Sequence, residues 1–492
     1  MEKEPKIKIP AEVYQFFTNP GGHSLIVRGN AGAGKTTFAL QTIEELSAIE
    51  KSFYHSTRVS DMSLLTQFGW LKDKMDGIER SDSFSDLHQS KGPVIRRLGL
   101  SNLKGIKSPP MEIARGGELA ISIGKDLGEL EGLYRGIEKN LPEKSLVVID
   151  SIDALAEKYN LTCSKLLSTI QYDIVEGYGS NVLFVLENSN MDLDYLGDGV
   201  INFSLTDFNR RRLRELEILK LRGCEIQQPK YIFTLDGGRI QTFGYQRVIE
   251  SQIQKTAWVP LEDHNEKVSC GIRDLDVALN GGLDKRSITL VELGHGVPTT
   301  VSTAIESALV SNFVALGRGV LWVPLRKASA DSARSRITQS LPDDSFDRLV
   351  RIPEKADQMS SVGDPYVLPI EGANAFSDFK WQNIEFSLSA SKKPILSLMG
   401  FDTMQSLYGS DLIDQLMDFL ALVRRNNGIF VAMTPPSSSA NNRLADLATT
   451  RLKIDRIGGT TLLYGEEPFT ECYALHFEKK EAGGSVSLTP IL

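Results

Sequence analysis

A chain of 492 residues, 41% hydrophobic and 24% charged, is longer than one hydrophobic core usually serves and ordinary in globular composition, so two domains, or three, are expected and long disordered tracts are not. No apolar run approaches the roughly 18 residues that span a bilayer, and the charged start MEKEPKIKIP lacks the apolar core of a secretory signal, so the expectation is a cytoplasmic protein without a membrane anchor. A net charge of −8 opposes a broad electrostatic grip on nucleic acid.

The first half alternates strands with helices, the pattern of a mostly parallel sheet covered on both faces. Strands are predicted at Ser24–Arg28, Ser52–Thr57, Ser145–Asp150 and Asn181–Glu187. Helices at Thr36–Leu46, Lys125–Asn140 and Cys163–Glu176 follow from apolar residues spaced by three and four. From Val200 onward the pattern changes. Val200–Leu205, Leu213–Arg222, Lys230–Leu235 and Arg239–Phe243, separated by short polar or glycine turns, read as antiparallel strands closing the sheet.

Charge, Pro260 and the lack of an apolar period place a linker at Gln246–Asn265, dividing the chain into domains 1–245 and 266–492. The second domain opens like the first. CGIRDLDVALNGGLDKRSITLVEL reads as a helix, a Gly-Gly turn and a strand leading into a glycine loop, as Glu12–Gly29 does. Further strands at Val320–Pro324, Pro394–Met399 and Gly428–Met433, with a helix at Leu412–Arg425, keep the order of elements. The fold class is α/β, two tandem domains each with a parallel central sheet and antiparallel closing strands.

Residues 29–36 read GNAGAGKT, a match to G-x-x-x-x-G-K-[ST] placed after a strand and opening a helix. Glycines at Gly29, Gly32 and Gly34 let the loop Gly29, Asn30, Ala31, Gly32, Ala33, Gly34 curl so that successive N–H groups face phosphates at a helix N-terminus. Lys35 is expected to reach the β- and γ-phosphates, and Thr36, followed by Thr37, to hold Mg2+ through its hydroxyl. The strand SLVVID supplies Asp150 as the carboxylate that orients the metal's water shell. The implied cofactors are ATP and Mg2+.

GNAGAGKTTFALQ, LVVIDSIDAL, FVLENSNMDLDYLGDGVINF and RRLRELEILKLRG together resemble the RecA-like ATPases of the KaiC type and, within them, archaeal proteins related to the gas-vesicle regulator GvpD. GIRDLDVALNGGLDKRSITLVE resembles that family's domain entry, so the tandem arrangement is also KaiC-like. The resemblance implies that Lys220 and Arg222 of K-x-R-G reach across a subunit boundary to the γ-phosphate bound next door, and hence a homo-oligomer with contacts in trans.

Departures from the family pattern bear on chemistry. The strand that usually ends in paired glutamates, one of which activates water, here reads SFYHSTRVS, with Thr57 and Arg58 in those places. Glu187 or Asp61 is left to polarise water, and slow hydrolysis is expected. In the second domain VELGHGVPTT puts Pro298 where the last glycine belongs and Thr299 where the lysine belongs, so triphosphate should bind poorly. Asp402 reads either as a relic of the magnesium aspartate or as a plain strand-end carboxylate, and the terminal FEKKEAGGSVSL lacks K-x-R-G. Such a domain fits contact with a protein partner instead of chemistry.

Arg210, Arg211, Arg212 and Arg214 form the densest positive cluster, but alternation along a strand splits it between two faces. A solvated or subunit-contact surface is expected there, ahead of an acidic protein partner and of nucleic acid. Cys163, Cys224, Cys270 and Cys472 are too scattered for a zinc or redox motif, and the six histidines show no ligand spacing. The leading functional reading is a slowly hydrolysing, nucleotide-dependent regulator. Its rivals are a non-hydrolysing nucleotide-sensing module and a recombinase-like protein on DNA, the latter opposed by the acidic charge.

Overall fold

The computed structural model describes residues 8–57, 61–70, 78–80, 128–187, 191–244, 257–355, 363–478 and 485–492. The backbone divides into two compact units, Met1–Gly244 together with Leu492, and Tyr245–Ile491. Among the described residues no helix is long and apolar enough to cross a membrane.

The first unit is built on β1 (Ser24–Gly29), β2 (Lys51–Ser56), β3 (Ile78–Arg80), β4 (Ser145–Asp150), β5 (Asn181–Val185), β6 (Gly199–Phe208), β7 (Arg211–Leu221), β8 (Lys230–Thr234) and β9 (Gln241–Phe243). They form one sheet in the order β3-β2-β4-β5-β1-β6-β7-β8-β9. Pairing is parallel from β3 to β6 and antiparallel from β6 to β9. Both faces of the inner strands are apolar. Leu25 and Val27 of β1 join one core with Leu146 and Val148 of β4, while Ile26, Val147 and Ile149 join the other. That double burial is why these strands read as continuous apolar runs.

Several boundaries move for local reasons. The strand expected to reach Glu187 stops at Val185, after which the Leu186 N–H still donates to the Val27 carbonyl at 2.8 Å. The helix expected at Cys163–Glu176 is α-helical to Ile170 and then widens into a π turn, Gln171–Gly177. The last strand begins at Gln241, not Arg239, because the Ile240 N–H is given to Gln41 Oε1 at 2.9 Å. The helix expected at Lys125–Asn140 is described from Gly128, and residues 125–127 lie outside the described residues.

The second unit opens with the small pair β10 (Lys267–Val268) and β11 (Leu283–Asp284). Its main strands are β12 (Ile288–Leu293), β13 (Arg318–Val323), β14 (Val350–Lys355), β15 (Val367–Ile370), β16 (Lys392–Gly400), β17 (Ile429–Thr434), β18 (Thr450–Ile457), β19 (Thr460–Glu467), β20 (Phe469–Phe477) and β21 (Val486–Pro490). The sheet order is β15-β14-β13-β16-β17-β12-β18-β19-β20-β21, parallel from β15 to β18 and antiparallel beyond. The helix Leu412–Arg425 lies where its apolar period puts it.

Part of the stretch expected as linker, Gln246–Asn265, is built into this unit. The Trp258 N–H donates to the Ser340 carbonyl at 2.9 Å, the Leu261 N–H to Asn312 Oδ1 at 2.8 Å, and Arg318 forks onto Asp263 at 3.0 and 2.5 Å. Residues 246–256 lie outside the described residues.

Candidate nucleotide site

β1 sits between β5 and β6, and the loop leaving its carboxyl end lies at the edge where open α/β sheets bind ligands. Arg28, the last side chain before the loop, is buried and forks onto Asp194 at 2.8 and 2.9 Å, with Asn202 Oδ1 at 2.9 Å. This charge-assisted clamp fixes the point from which the loop departs. Gly29, Gly32 and Gly34 all take positive φ, at 135°, 73° and 107°. At Gly29 a Cβ would lie 1.9 Å from the Phe203 carbonyl oxygen, so that position admits only glycine.

Inside the curl, Lys35 Nζ donates to the carbonyls of Gly29 at 2.7 Å and Asn30 at 2.9 Å. Burial lowers the pKa of this ammonium, opposed by the charges of Glu187, Asp150 and Asp153. The Asn30 N–H donates to the Phe203 carbonyl at 3.3 Å and the Ala33 N–H to the Asn30 carbonyl at 3.2 Å. The N–H groups of Gly32, Gly34, Lys35 and Thr36 have no acceptor among the described residues, as the first groups of any helix are left to an external anion. Ala31 and Thr37 flank this array, Ala31 before the tip glycine and Thr37 buried in the first turn of the helix Lys35–Leu46.

Thr36 Oγ1 donates to Asp150 Oδ2 at 2.7 Å, and the Tyr54 hydroxyl donates to the same oxygen at 3.2 Å. Burial raises the Asp150 pKa; the two hydroxyls pull it down, Glu187 pushes it up and Lys35 pulls it down. A threonine hydroxyl touching a carboxylate whose charge is poorly solvated is a hard-oxygen set that a divalent cation would discharge, so these residues fit Mg2+.

Glu187 stands beside this pair. Its N–H donates to Asp153 Oδ2 at 2.7 Å and its Oε1 accepts from Ser151 Oγ at 3.5 Å. Thr57 serves the backbone: its N–H donates to the Asp150 carbonyl at 2.8 Å and its Oγ1 accepts from the Ser151 N–H at 3.0 Å. Asp61 opens the helix Asp61–Gln67, and Arg58 lies outside the described residues. Tyr54, Ser151 and Asp153 carried no signal in the sequence reading, although Tyr54 shares a strand face with Ser56, whose position pairs with Asp150.

Lys220 and Arg222 lie at the other end of the sheet. Lys220 pairs with Val200, next to the Gly199 that pairs with Leu25, whereas Gly29 pairs with Phe203. Val200 in turn pairs with Ile26, three residues before Gly29, so about 10 Å of strand separates the level of Lys220 from its own loop, and Arg222 lies further along. Lys220 Nζ donates to the Gly197 carbonyl at 2.6 Å, and Arg222 pairs with Asp198 at 3.0 Å while remaining 64% exposed. The arginine cluster is divided. Arg210 forms the hairpin turn with positive φ, Arg211 is buried, Arg212 is exposed, and Arg214 donates to the Gly32 carbonyl at 2.9 Å.

Strand registers align the second unit with the first. Leu293 pairs with Ile454 as Gly29 pairs with Phe203, and the Gly294 N–H donates to the Ile454 carbonyl at 2.7 Å as Asn30 does to Phe203. Leu293 thus replaces Gly29, and Pro298, with φ −61°, precedes Thr299 in the place of the lysine. Val291 pairs with Met433 and Met433 with Gly400, as Val27 pairs with Val185 and Val185 with Asp150. The position of Asp150 is therefore held by Gly400, not Asp402. A Cβ there would lie 2.8 Å from the Leu325 backbone. Asp402, two residues on, accepts the N–H groups of Arg326 and Thr403, each at 2.7 Å.

The strand corresponding to β7 is β19, not the terminal FEKKEAGGSVSL, of which residues 479–484 lie outside the described residues. Both strands carry a bulge at the same place, between Val200 and Ile201 in one pairing and Arg451 and Leu452 in the other. Lys220 pairs with Val200 and Glu467 with Arg451, so an exposed carboxylate occupies the place of the lysine.

Residues 13–220 match the family model described as "GvpD gas vesicle protein, P-loop domain". The chain is 23% identical to Protein GvpD1 of Halobacterium salinarum, covering 99% of this chain and 97% of that protein, and 24% identical to Protein GvpD2 of the same organism, covering 98% and 96%. It is 25% identical to the circadian clock oscillator protein KaiC of Rippkaea orientalis over 70% of this chain and 62% of that one. The first unit thus matches the GvpD P-loop domain model, and the chain is similar to GvpD proteins over nearly its whole length and to KaiC over part of it.

Proposed function

We propose that the protein is a nucleotide-dependent regulator that binds ATP with Mg2+ in its first unit and hydrolyses it slowly. The observation that carries this reading is the meeting of Lys35, Thr36 and Asp150 under a loop whose glycines all take positive φ. Thr36 and Asp150 would hold the metal, which when bound neutralises charge on the phosphate oxygens. Lys35 and the loop N–H groups bind and orient the triphosphate. Glu187 is the carboxylate placed to take a proton from attacking water, directly or through Ser151. Lys220 and Arg222, out of reach of their own loop, act on the phosphate of a neighbouring copy, where cations stabilise charge on the transferred group. The second unit serves contact with that copy or another protein, and the working place is the cytoplasm.

A non-hydrolysing sensor is the alternative, favoured by Thr57, whose hydroxyl is spent on backbone where a water-activating carboxylate would serve. Phosphate release and nucleotide-dependent mass, measured by light scattering on wild type and Lys35→Ala, decide between them. Release and ATP-driven assembly in wild type, with nucleotide binding weakened at least about 100-fold in the variant because a charged partner of the phosphates is lost, support the ATPase. Binding without release supports the sensor, and equal binding by both proteins sinks both readings.

A further inference from the structure

Resting on the reading of the first unit as a nucleotide site, we propose that Arg214 is a positioning residue of that site. It sets the curl of the phosphate loop and joins the loop to the strand that carries Lys220 and Arg222. Arg214 lies on β7 opposite Leu205 of β6, and its guanidinium donates to the Gly32 carbonyl at 2.9 Å. The next N–H, that of Ala33, donates to the Asn30 carbonyl at 3.2 Å. One peptide at the loop tip is thereby held by both its oxygen and its hydrogen. With its carbonyl turned out onto the arginine, the N–H groups of Gly34, Lys35 and Thr36 stay directed at the phosphate position. Gly32 itself has φ 73° and nothing within 4 Å of where a Cβ would stand, so packing does not hold the tip.

The second unit supplies an independent observation. Gly296 stands where Gly32 does, and its carbonyl accepts from Arg456 at 3.3 Å. By register Arg456 takes the place of Leu205, while Thr461, which pairs with it, takes the place of Arg214. The arginine has changed strands and kept the carbonyl. Because the clasp persists where the lysine and the magnesium carboxylate are gone, it acts on the shape of the loop and not on the nucleotide. In the first unit it comes from the strand that ends in the cations. Six residues separate Arg214 from Lys220, about 20 Å of strand, and β7 is bonded to β6 on one side and β8 on the other. A loop seated on phosphate and a strand presenting Lys220 and Arg222 to the next copy are therefore parts of one rigid element.

The test uses the full chain as wild type, Arg214→Ala and Arg214→Lys. Each is titrated with a fluorescent ATP analogue in Mg2+, and melting is recorded without nucleotide. Losing a charge-assisted bond that is partly open to solvent should weaken binding about tenfold in Arg214→Ala, with unchanged melting and partial recovery in Arg214→Lys. Unchanged affinity in Arg214→Ala overturns the proposal, and so does a loss that tracks lowered melting and is not relieved by lysine. A wild type that binds no nucleotide overturns the nucleotide reading and this proposal with it. A wild type that binds, beside an Arg214→Ala that binds equally, overturns this proposal alone.

Discussion

At the end of β1 the chain carries Gly29, Lys35 and, across β5, Asp150, with Lys220 at the far end of the sheet. At the same places the second unit carries Leu293, Thr299, Gly400 and Glu467. Both units keep the strand order around the loop, the backbone bond that starts it and the arginine that clasps its tip. What differs is Gly29, Gly34, Lys35 and Asp150, replaced by Leu293, Pro298, Thr299 and Gly400, and the sign of the charge offered at the opposite end, while Thr36 is kept as Thr300. The sheet thus fixes where each loop leaves and where its tip is clasped, whereas the backbone between differs, with Gly34 at φ 107° where Pro298 is at −61°.

The comparison is broken most severely by removing the two cations proposed to act in trans. Lys220→Ala with Arg222→Ala should lower phosphate release about 1,000-fold, the lower end of the effect of such a cation, while nucleotide affinity holds; single-turnover release beside a binding titration checks it, and unchanged release would return both residues to surface cations. The second effect belongs to the helix after each loop. Seven residues beyond Lys35 stands Thr42, and seven beyond Thr299 stands Glu306, both buried. Burial pushes Glu306 up from 4.5 to about 7, against hydrogen bonds from the Leu325 N–H and Trp322 Nε1. A carboxyl whose folded pKa is raised contributes stability that is present at low pH and lost as pH rises through the folded value. The second unit should lose about 3 kcal/mol between pH 4.5 and 7 from this group, and Glu306→Gln should flatten that slope in denaturant titrations.

Next in size is Gly400→Asp, which restores the carboxylate by position but drives a Cβ to 2.8 Å from the Leu325 backbone; overpacking of this kind should cost about 2 kcal/mol, read as a lowered denaturation midpoint. The smallest effect sharpens the comparison by its absence. Thr299→Lys alone should leave nucleotide stoichiometry at one per chain, because Pro298 still withholds an N–H and Gly400 still offers no ligand; isothermal titration that finds a second site would show the lysine to be sufficient.

Much of this was legible in the sequence because it is local. The loop, β4 and the helix Leu412–Arg425 are each marked by a contiguous pattern, and the last two lie within their expected bounds. Strand ends set by bonds to distant segments were not, as where Ile240 gives its N–H to Gln41. The strands β14 and β15 escaped notice because each is short and interrupted by proline. The choice between the two readings of Asp402 and the β19 counterpart of β7 were out of reach for one reason: equivalence in a parallel sheet is decided by register, which no single segment carries. Arg214 was hidden by its neighbours, since a run of arginines does not announce which one turns toward the loop.

The close approach of Gly29 to the Phe203 carbonyl has a bearing on descent and design alike. A backbone that passes another this tightly permits no side chain at its crossing, and the second unit has leucine there. Giving that unit the groups of the first would take glycine at 293, glycine at 298, lysine at 299 and a carboxylate at 400 with Leu325 moved aside. Four separate changes therefore stand between the second loop and the first, and no single substitution converts one into the other.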